Sequence, residues 1–291
     1  MTKLVGLAVV SASMLCAQAP NLSGVWKADL QKSQIAGPPI KEYLAIIEQK
    51  PAVFNRRTGE KALAVTETAA VTSNFGQHRS EFTFFENDKP VVRAYEGIPT
   101  RLTGSVQGNT VTVDGEVAGR PSSFKRTYEL ASDGQTLTIT MAGTNEGKEH
   151  RSVYVLAKQP DSAAQPLREP EKTAEQEFKN VKTRLKTLPA SQFIDQMRYM
   201  AWSVGKDCEF CHVRGHFDSD DKKEKQTARK MIDMVAAIDS NHFEGHPEVR
   251  CFTCHQQHPH PLSYPLFPDQ ITQQQTAARN AEGTPAAAGT K

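Results

Sequence analysis

Hydrophobic positions in the first half of the chain recur every second residue. "NTVTVDGEV" sets Val111 and Val113 against Thr110 and Thr112, and "QTLTITM" sets Leu137, Ile139 and Met141 against threonines. Such alternation marks strands with one buried face. Gly108-Asn109 and Ser132-Asp133-Gly134 fall between these runs and supply turns. "EYLAIIEQ", "KALAVTE", "SEFTFFE", "PVVRAYE" and "RSVYVLA" extend the series. Residues 20–158 therefore predict an antiparallel β domain of about eight strands, a barrel or a sandwich.

The period changes in the second half. "LPASQFIDQMRYMAWSV" places Phe193, Ile194, Met197, Met200 and Ala201 at helical spacing. "SDDKKEKQTARKMIDMVAAID" opens with Ser219 and Asp220, suited to a helix cap, and then repeats apolar positions at Met231, Met234, Val235 and Ile238. Residues 176–265 thus predict an all-α domain. Pro- and charge-rich residues 159–175 read as a linker, and residues 266–291, rich in Gln, Ala, Thr and Gly, as a disordered tail. The fold class expected is α+β in two domains.

Composition narrows the picture. A hydrophobic content of 38% with a formal charge of +2 describes a soluble globular protein, and no basic stripe points to nucleic acid. Residues 1–19 carry Lys3, an apolar run from Leu4 to Val10 and small residues after it, which reads as a secretory signal peptide. No later segment reaches the apolar length needed to span a bilayer as a helix. The expected location is periplasmic. Leu15, where a small residue is expected, argues against a lipid anchor on Cys16.

The other four cysteines form two pairs, "CEFCH" at 208–212 and "CFTCH" at 251–255. C-x-x-C-H is the attachment sequence of c-type haem. Thiols three apart on a helical turn can each form a thioether with a haem vinyl group, and the next residue carries an imidazole to the iron. A zinc site or a thiol redox pair would not require a His after both second cysteines. The reading is two covalently bound c-type haems, attached through Cys208, Cys211, Cys251 and Cys254, with His212 and His255 as proximal iron ligands.

A second axial ligand closes such an iron, and Met or His are the usual donors. Met197 and Met200 precede the first attachment sequence, and Met231 and Met234 the second, in the same order of M-x-x-M helix, connection and C-x-x-C-H. His242 and His246 lie in the longer second connection and are further donors, whereas His216 is too near the proximal His212. His258 and His260 are also available. Arg214, Arg229 and Arg250 are candidate partners for haem propionates.

"FIDQMRYMAW…CEFCH" followed by "TARKMIDMVAAID…CFTCH" resembles the haem-binding units of the photosynthetic reaction-centre cytochrome c subunit family, over roughly residues 176–265. The resemblance implies a diheme c-type cytochrome module in which the first Met of each pair is the axial ligand: Met197 with His212, and Met231 with His255. It also places Trp202 near the first haem, where core packing is the alternative. The family's photosynthetic member carries four haems; this chain has attachment sequences for two and adds the β domain. Gly24-Val25-Trp26 resembles the Gly-x-Trp on the first strand of lipocalin-like barrels. The function expected is electron transport between redox partner proteins, membrane-bound ones among them, without a small-molecule substrate. The alternatives are a peroxidase-like enzyme with one open haem, and a redox sensor whose β domain binds a ligand.

Overall fold

The alternating half of the chain forms ten strands in the computed structural model, which describes residues 19–262 apart from 74, 75 and 146. They are β1 (Gly24–Ala28), β2 (Ile40–Asn55), β3 (Glu60–Ser73), β4 (Gly76–Phe85), β5 (Pro90–Tyr95), β6 (Ile98–Gln107), β7 (Thr110–Val117), β8 (Ser123–Leu130), β9 (Thr136–Asn145) and β10 (Lys148–Gln159). The alternation predicts about eight; β1, with five residues, carries too little of it to be counted, whereas the six-residue β5 falls on the expected "PVVRAYE". The signal-peptide residues, with Cys16, and the tail from 266 onward lie outside the described residues.

All the pairings between named strands are antiparallel, in the order β4-β3-β2-β1-β10-β9-β8-β7-β6-β5. The first and last strands are therefore neighbours, and the two edges of the sheet fall to consecutive strands, β4 and β5. Beyond β4, Glu86 bridges to Gly104 of β6, and the Asp88 N–H donates to the Gly104 carbonyl at 2.9 Å. A Cβ on Gly104 would lie 2.3 Å from the Phe85 carbonyl oxygen and 2.7 Å from Cδ2 of Phe84. Only glycine allows that approach. The sheet is a nearly closed barrel rather than a sandwich.

Inward-facing residues fill it: Trp26, Ile47, Val65, Phe84, Leu102, Val113, Tyr128, Leu137, Ile139 and Leu156 are all fully buried. Trp26 of the Gly-Val-Trp stretch plugs this core, and its indole N–H donates to the Leu22 carbonyl at 2.9 Å. The core also holds a buried ion pair, Glu67 with Arg126. Tyr43 and Tyr128 donate their hydroxyls to Glu67 at 2.6 and 2.7 Å. Burial, with the neighbouring Glu67 charge adding to it on Tyr43, pushes both phenols far above their usual range.

After β10 come α1 (Gln165–Arg168), α2 (Ala174–Glu177), α3 (Ala190–Ser203), α4 (Lys223–His242) and α5 (Cys251–His255). Within the stretch read as linker, Ala164 and Leu167 are buried against Val25, Leu44 and Ala70 on the outer face of the barrel. Among the described residues no helix is long and apolar enough to cross a membrane. The chain forms two compact units, and the division falls inside α3: residues up to Tyr199 with His216–Ser219, and Met200–Gly215 with residues from Asp220 onward. The coarse expectation of a β domain followed by a helical one is met.

Candidate functional site

The first thiol pair sits on a single tight turn. Residues Cys208–Phe210 form a 3-10 helix whose start is capped by Asp207, Oδ1 accepting from the Phe210 N–H at 3.1 Å. The N–H groups of Cys211 and His212 both donate to the Cys208 carbonyl, at 3.3 and 3.0 Å. Two backbone bonds to one oxygen wind Cys208, Cys211 and His212 into one turn. Cys208 is exposed and Cys211 half-buried. Burial, then the Glu224 carboxylate, pushes the Cys211 thiol above its usual range.

The second pair lies on α5 itself, which spans the pentapeptide Cys251–His255. Thr253, between the two cysteines, closes the turn, its hydroxyl accepting from the Arg250 N–H at 3.0 Å while its own N–H donates to the Arg250 carbonyl at 3.0 Å. Gln256, with φ of +46°, ends the helix. Cys251 is half-buried and its thiol raised by burial, while Cys254 is exposed. His255 Nδ1 lies 2.9 Å from the His258 carbonyl oxygen. A carbonyl only accepts, so this bond puts the proton on Nδ1 and leaves the Nε2 lone pair free for a metal. His258, one of the alternative distal donors, acts here through its backbone on the proximal side.

The helices carrying the methionines differ. On α3, Met197 and Met200 are half-buried. On α4, Met231 and Met234 are 37% and 43% exposed, while Ile232, Val235 and Ile238 take the half-buried positions. Core filling therefore does not account for the pair on α4. The expected Ser219–Asp220 cap is not made: α4 begins at Lys223, and Asp220 instead pairs with Arg229 at 2.9 Å and Lys225 at 3.4 Å. Paired cations gave Asp220 a stronger interaction than helix N–H groups offered. The long second connection folds back on α4, where buried Asp239 accepts from the Val249 N–H at 3.0 Å and its carbonyl from the Gly245 N–H at 2.9 Å.

Of the arginines considered for propionates, Arg229 is paired with Asp220 and Arg214 with Glu209. His216, His242, His246 and His260 are exposed. Trp202 is buried, but its ring stacks on Phe252 of the second C-x-x-C-H unit, with centroids 4.7 Å apart. Beside it, the Gln257 N–H donates to the Ser203 carbonyl at 2.8 Å. The end of α3 thus supports α5. No local signal in the sequence connects residues so far apart.

Among the described residues, no three His, Cys, Asp or Glu side chains converge on a possible metal position. The donor set does suit haem. Each unit offers two free thiols and an imidazole on one turn, and Met231, Met234 and Phe252 present apolar side chains at the surface of the same compact unit.

Several known proteins are similar to parts of this chain. A secretory abundant heat soluble protein from Ramazzottius varieornatus is similar over 49% of this chain and 98% of its own, at 9% identity and a TM-score of 0.34. The photosynthetic reaction center cytochrome c subunit of Thermochromatium tepidum is 31% identical over 119 residues, 39% of this chain and 29% of that protein. Cytochrome c-554 of Chloroflexus aurantiacus is 27% identical over 88 residues, 28% of this chain and 21% of its own. The matched stretches thus take in less than a third of either relative's length. The family model described as photosynthetic reaction centre cytochrome C subunit matches residues 130–290, from the end of β8 through both C-x-x-C-H units. With more than half of its 291 residues so matched, the chain belongs to the photosynthetic reaction centre cytochrome C subunit family.

Proposed function

We propose that the chain is an exported, periplasmic diheme c-type cytochrome that passes single electrons between redox partner proteins. The observation that carries this reading is the winding of each C-x-x-C-H unit into one backbone-bonded turn, with its thiols free, in a chain of this family. Bound haem supplies an iron that gains and loses one electron without a change of covalent partners. Cys208 with Cys211, and Cys251 with Cys254, are the thioether donors. His212 and His255 are the proximal ligands, and the His258 carbonyl holds the second imidazole in the ligating tautomer. Met197 and Met231 are the distal donors, and Met234 packs beside the second ring.

Methionine on both irons leaves neither open to a substrate, which favours a carrier over a peroxidase-like enzyme. The filled interior of the barrel, with Arg126 neutralised by Glu67, favours it over a ligand-binding sensor. Spectra of the oxidised and reduced protein, with and without carbon monoxide, test the reading. Two c-type haems that do not take up carbon monoxide are expected. Uptake at one haem would move the assignment to catalysis, and absence of a Soret band would end it.

A further inference from the structure

The proposed function gives the barrel no part, yet the barrel grips one of the two helices that carry methionine pairs. Between β5 and β6 the chain turns on Glu96 and Gly97, with φ of +47° and +79°. Positive φ at both central residues is the tight hairpin turn that glycine and asparagine favour; a glutamate there is strained. The turn rests directly on α3. A Cβ on Gly97 would lie 2.2 Å from the carbonyl oxygen of Asp195, 2.8 Å from its carbonyl carbon and 2.9 Å from its Cα. No other residue type lets the two backbones come so close.

Side chains reinforce the contact. Arg198, one turn after Asp195, lies 3.1 Å from the Asp195 carboxylate, 3.5 Å from Glu96 and 3.4 Å from Nε2 of His78 on β4. The start of α3 is tied down separately. Arg79 of β4 donates to the carbonyls of Glu169 and Pro166 at 2.8 and 2.5 Å, and its Nε lies 3.5 Å from the Glu171 carboxylate. Glu171 in turn accepts from the N–H and hydroxyl of Ser191 in the first turn of α3, at 3.1 and 2.6 Å. Two anchors, one at the end and one in the middle, fix the helix along its axis and about it. Met197 lies two residues past Asp195, about 200° round the helix and so on the side turned away from the hairpin.

We propose that the barrel is a positioning clamp: through Gly97 and through the Arg79–Glu171–Ser191 relay it sets the placement of Met197, and hence the potential of the one haem ligated from α3. The inference rests on the diheme reading above. Gly97 and Glu171 are positioning residues; neither touches a ligand of the iron. A methionine shifted along its helix weakens its bond to iron, and that bond is what raises the potential of a His/Met haem. The haem ligated from α4 serves as an internal reference.

The test uses the full-length, haem-loaded protein and compares Gly97→Asn with Gly108→Asn. Both glycines have positive φ, which Asn tolerates, but a Cβ on Gly108 meets nothing within 4 Å. The two variants therefore differ in the push against α3. The readouts are the Met–iron charge-transfer band and the two midpoint potentials, with Met197→Ala identifying the haem concerned. Gly97→Asn should weaken the band and lower the potential of that haem alone, and Gly108→Asn should leave both haems unchanged. Glu171→Gln provides a second route without backbone strain and should move the same haem. Identical spectra and potentials for Gly97→Asn and Gly108→Asn, or equal shifts at both haems, would overturn the clamp. Absence of the band from the unmodified protein would instead overturn the His/Met reading on which it rests.

Discussion

The indole of Trp202 lies on the ring of Phe252, planes 20° apart, so that the last turn of α3 braces the residue lodged between Cys251 and Cys254. Fifty positions of sequence are spanned by this one stack. A Trp202→Ala change removes a buried aromatic, and a loss of about 3–5 kcal/mol is expected in the helical unit. Urea unfolding of the haem-loaded protein, followed by helical circular dichroism, measures it. A loss no greater than about 1 kcal/mol, the worth of an aromatic pair alone, would show that the rings touch without bracing anything.

The pair inside the barrel makes a different prediction. Glu67 and Arg126 are 2% and 5% exposed, and each is the other's charge partner. Arg126→Met strands the carboxylate, and a destabilisation of about 3–5 kcal/mol is expected for such an unpaired buried charge. Replacing both, as Glu67→Leu with Arg126→Met, should recover most of that loss, because neither charge then needs a partner. Chemical denaturation of the three proteins decides it. A double variant as unstable as the single one would mean that the network supports the barrel through its tyrosine bonds rather than through charge balance.

Acid should loosen the barrel-bearing unit through His78. Burial, then the Arg198 guanidinium, holds this imidazole below its ordinary value of 6.5, against the opposing pull of Glu96, Asp195 and Glu171. The folded state thus binds a proton less readily than the unfolded chain. The resulting contribution to stability is present in full above pH 6.5 and declines as the pH falls through the depressed folded value. Thermal unfolding between about pH 7.5 and about pH 5 should show the decline, since histidine is the side chain that titrates there. In His78→Gln the slope should be shallower; an unchanged slope would assign it to other groups.

On α4 the two exposed methionines are predicted to differ in role. Met231→Ala should remove the charge-transfer band of one haem and lower its potential, because methionine ligation raises it. Met234→Ala should leave the band in place. The opposite pattern in reduced-minus-oxidised spectra would make Met234 the ligand.

Local structure was largely legible in the sequence. Alternation marked the strands, helical spacing marked α3 and α4, and the pentapeptides at 208–212 and 251–255 each wind into the turn that their spacing suggested. What depended on distant partners was not. The pairing of β1 with β10 joins residues more than a hundred positions apart, and neither strand's pattern identifies its neighbour. Gly97 and Gly104 look like ordinary turn and strand glycines until the backbones of Asp195 and Phe85 are seen against them. Asp220 had the composition of a cap, but Arg229, two helical turns on, offered it a full charge. Glu67 and Arg126 gave no sign of burial, because a charged residue is read as exposed until its partner is known.

The seating of β1 beside β10 also bears on where the barrel could be opened. A barrel that begins and ends at one seam has its two ends side by side. Its natural break lies elsewhere, at the Glu86–Lys89 turn between the two edge strands, where no ladder would be severed. A permuted chain starting there, with the old ends joined across the seam, would keep every strand pairing intact. Tolerance of such a rearrangement follows from that adjacency.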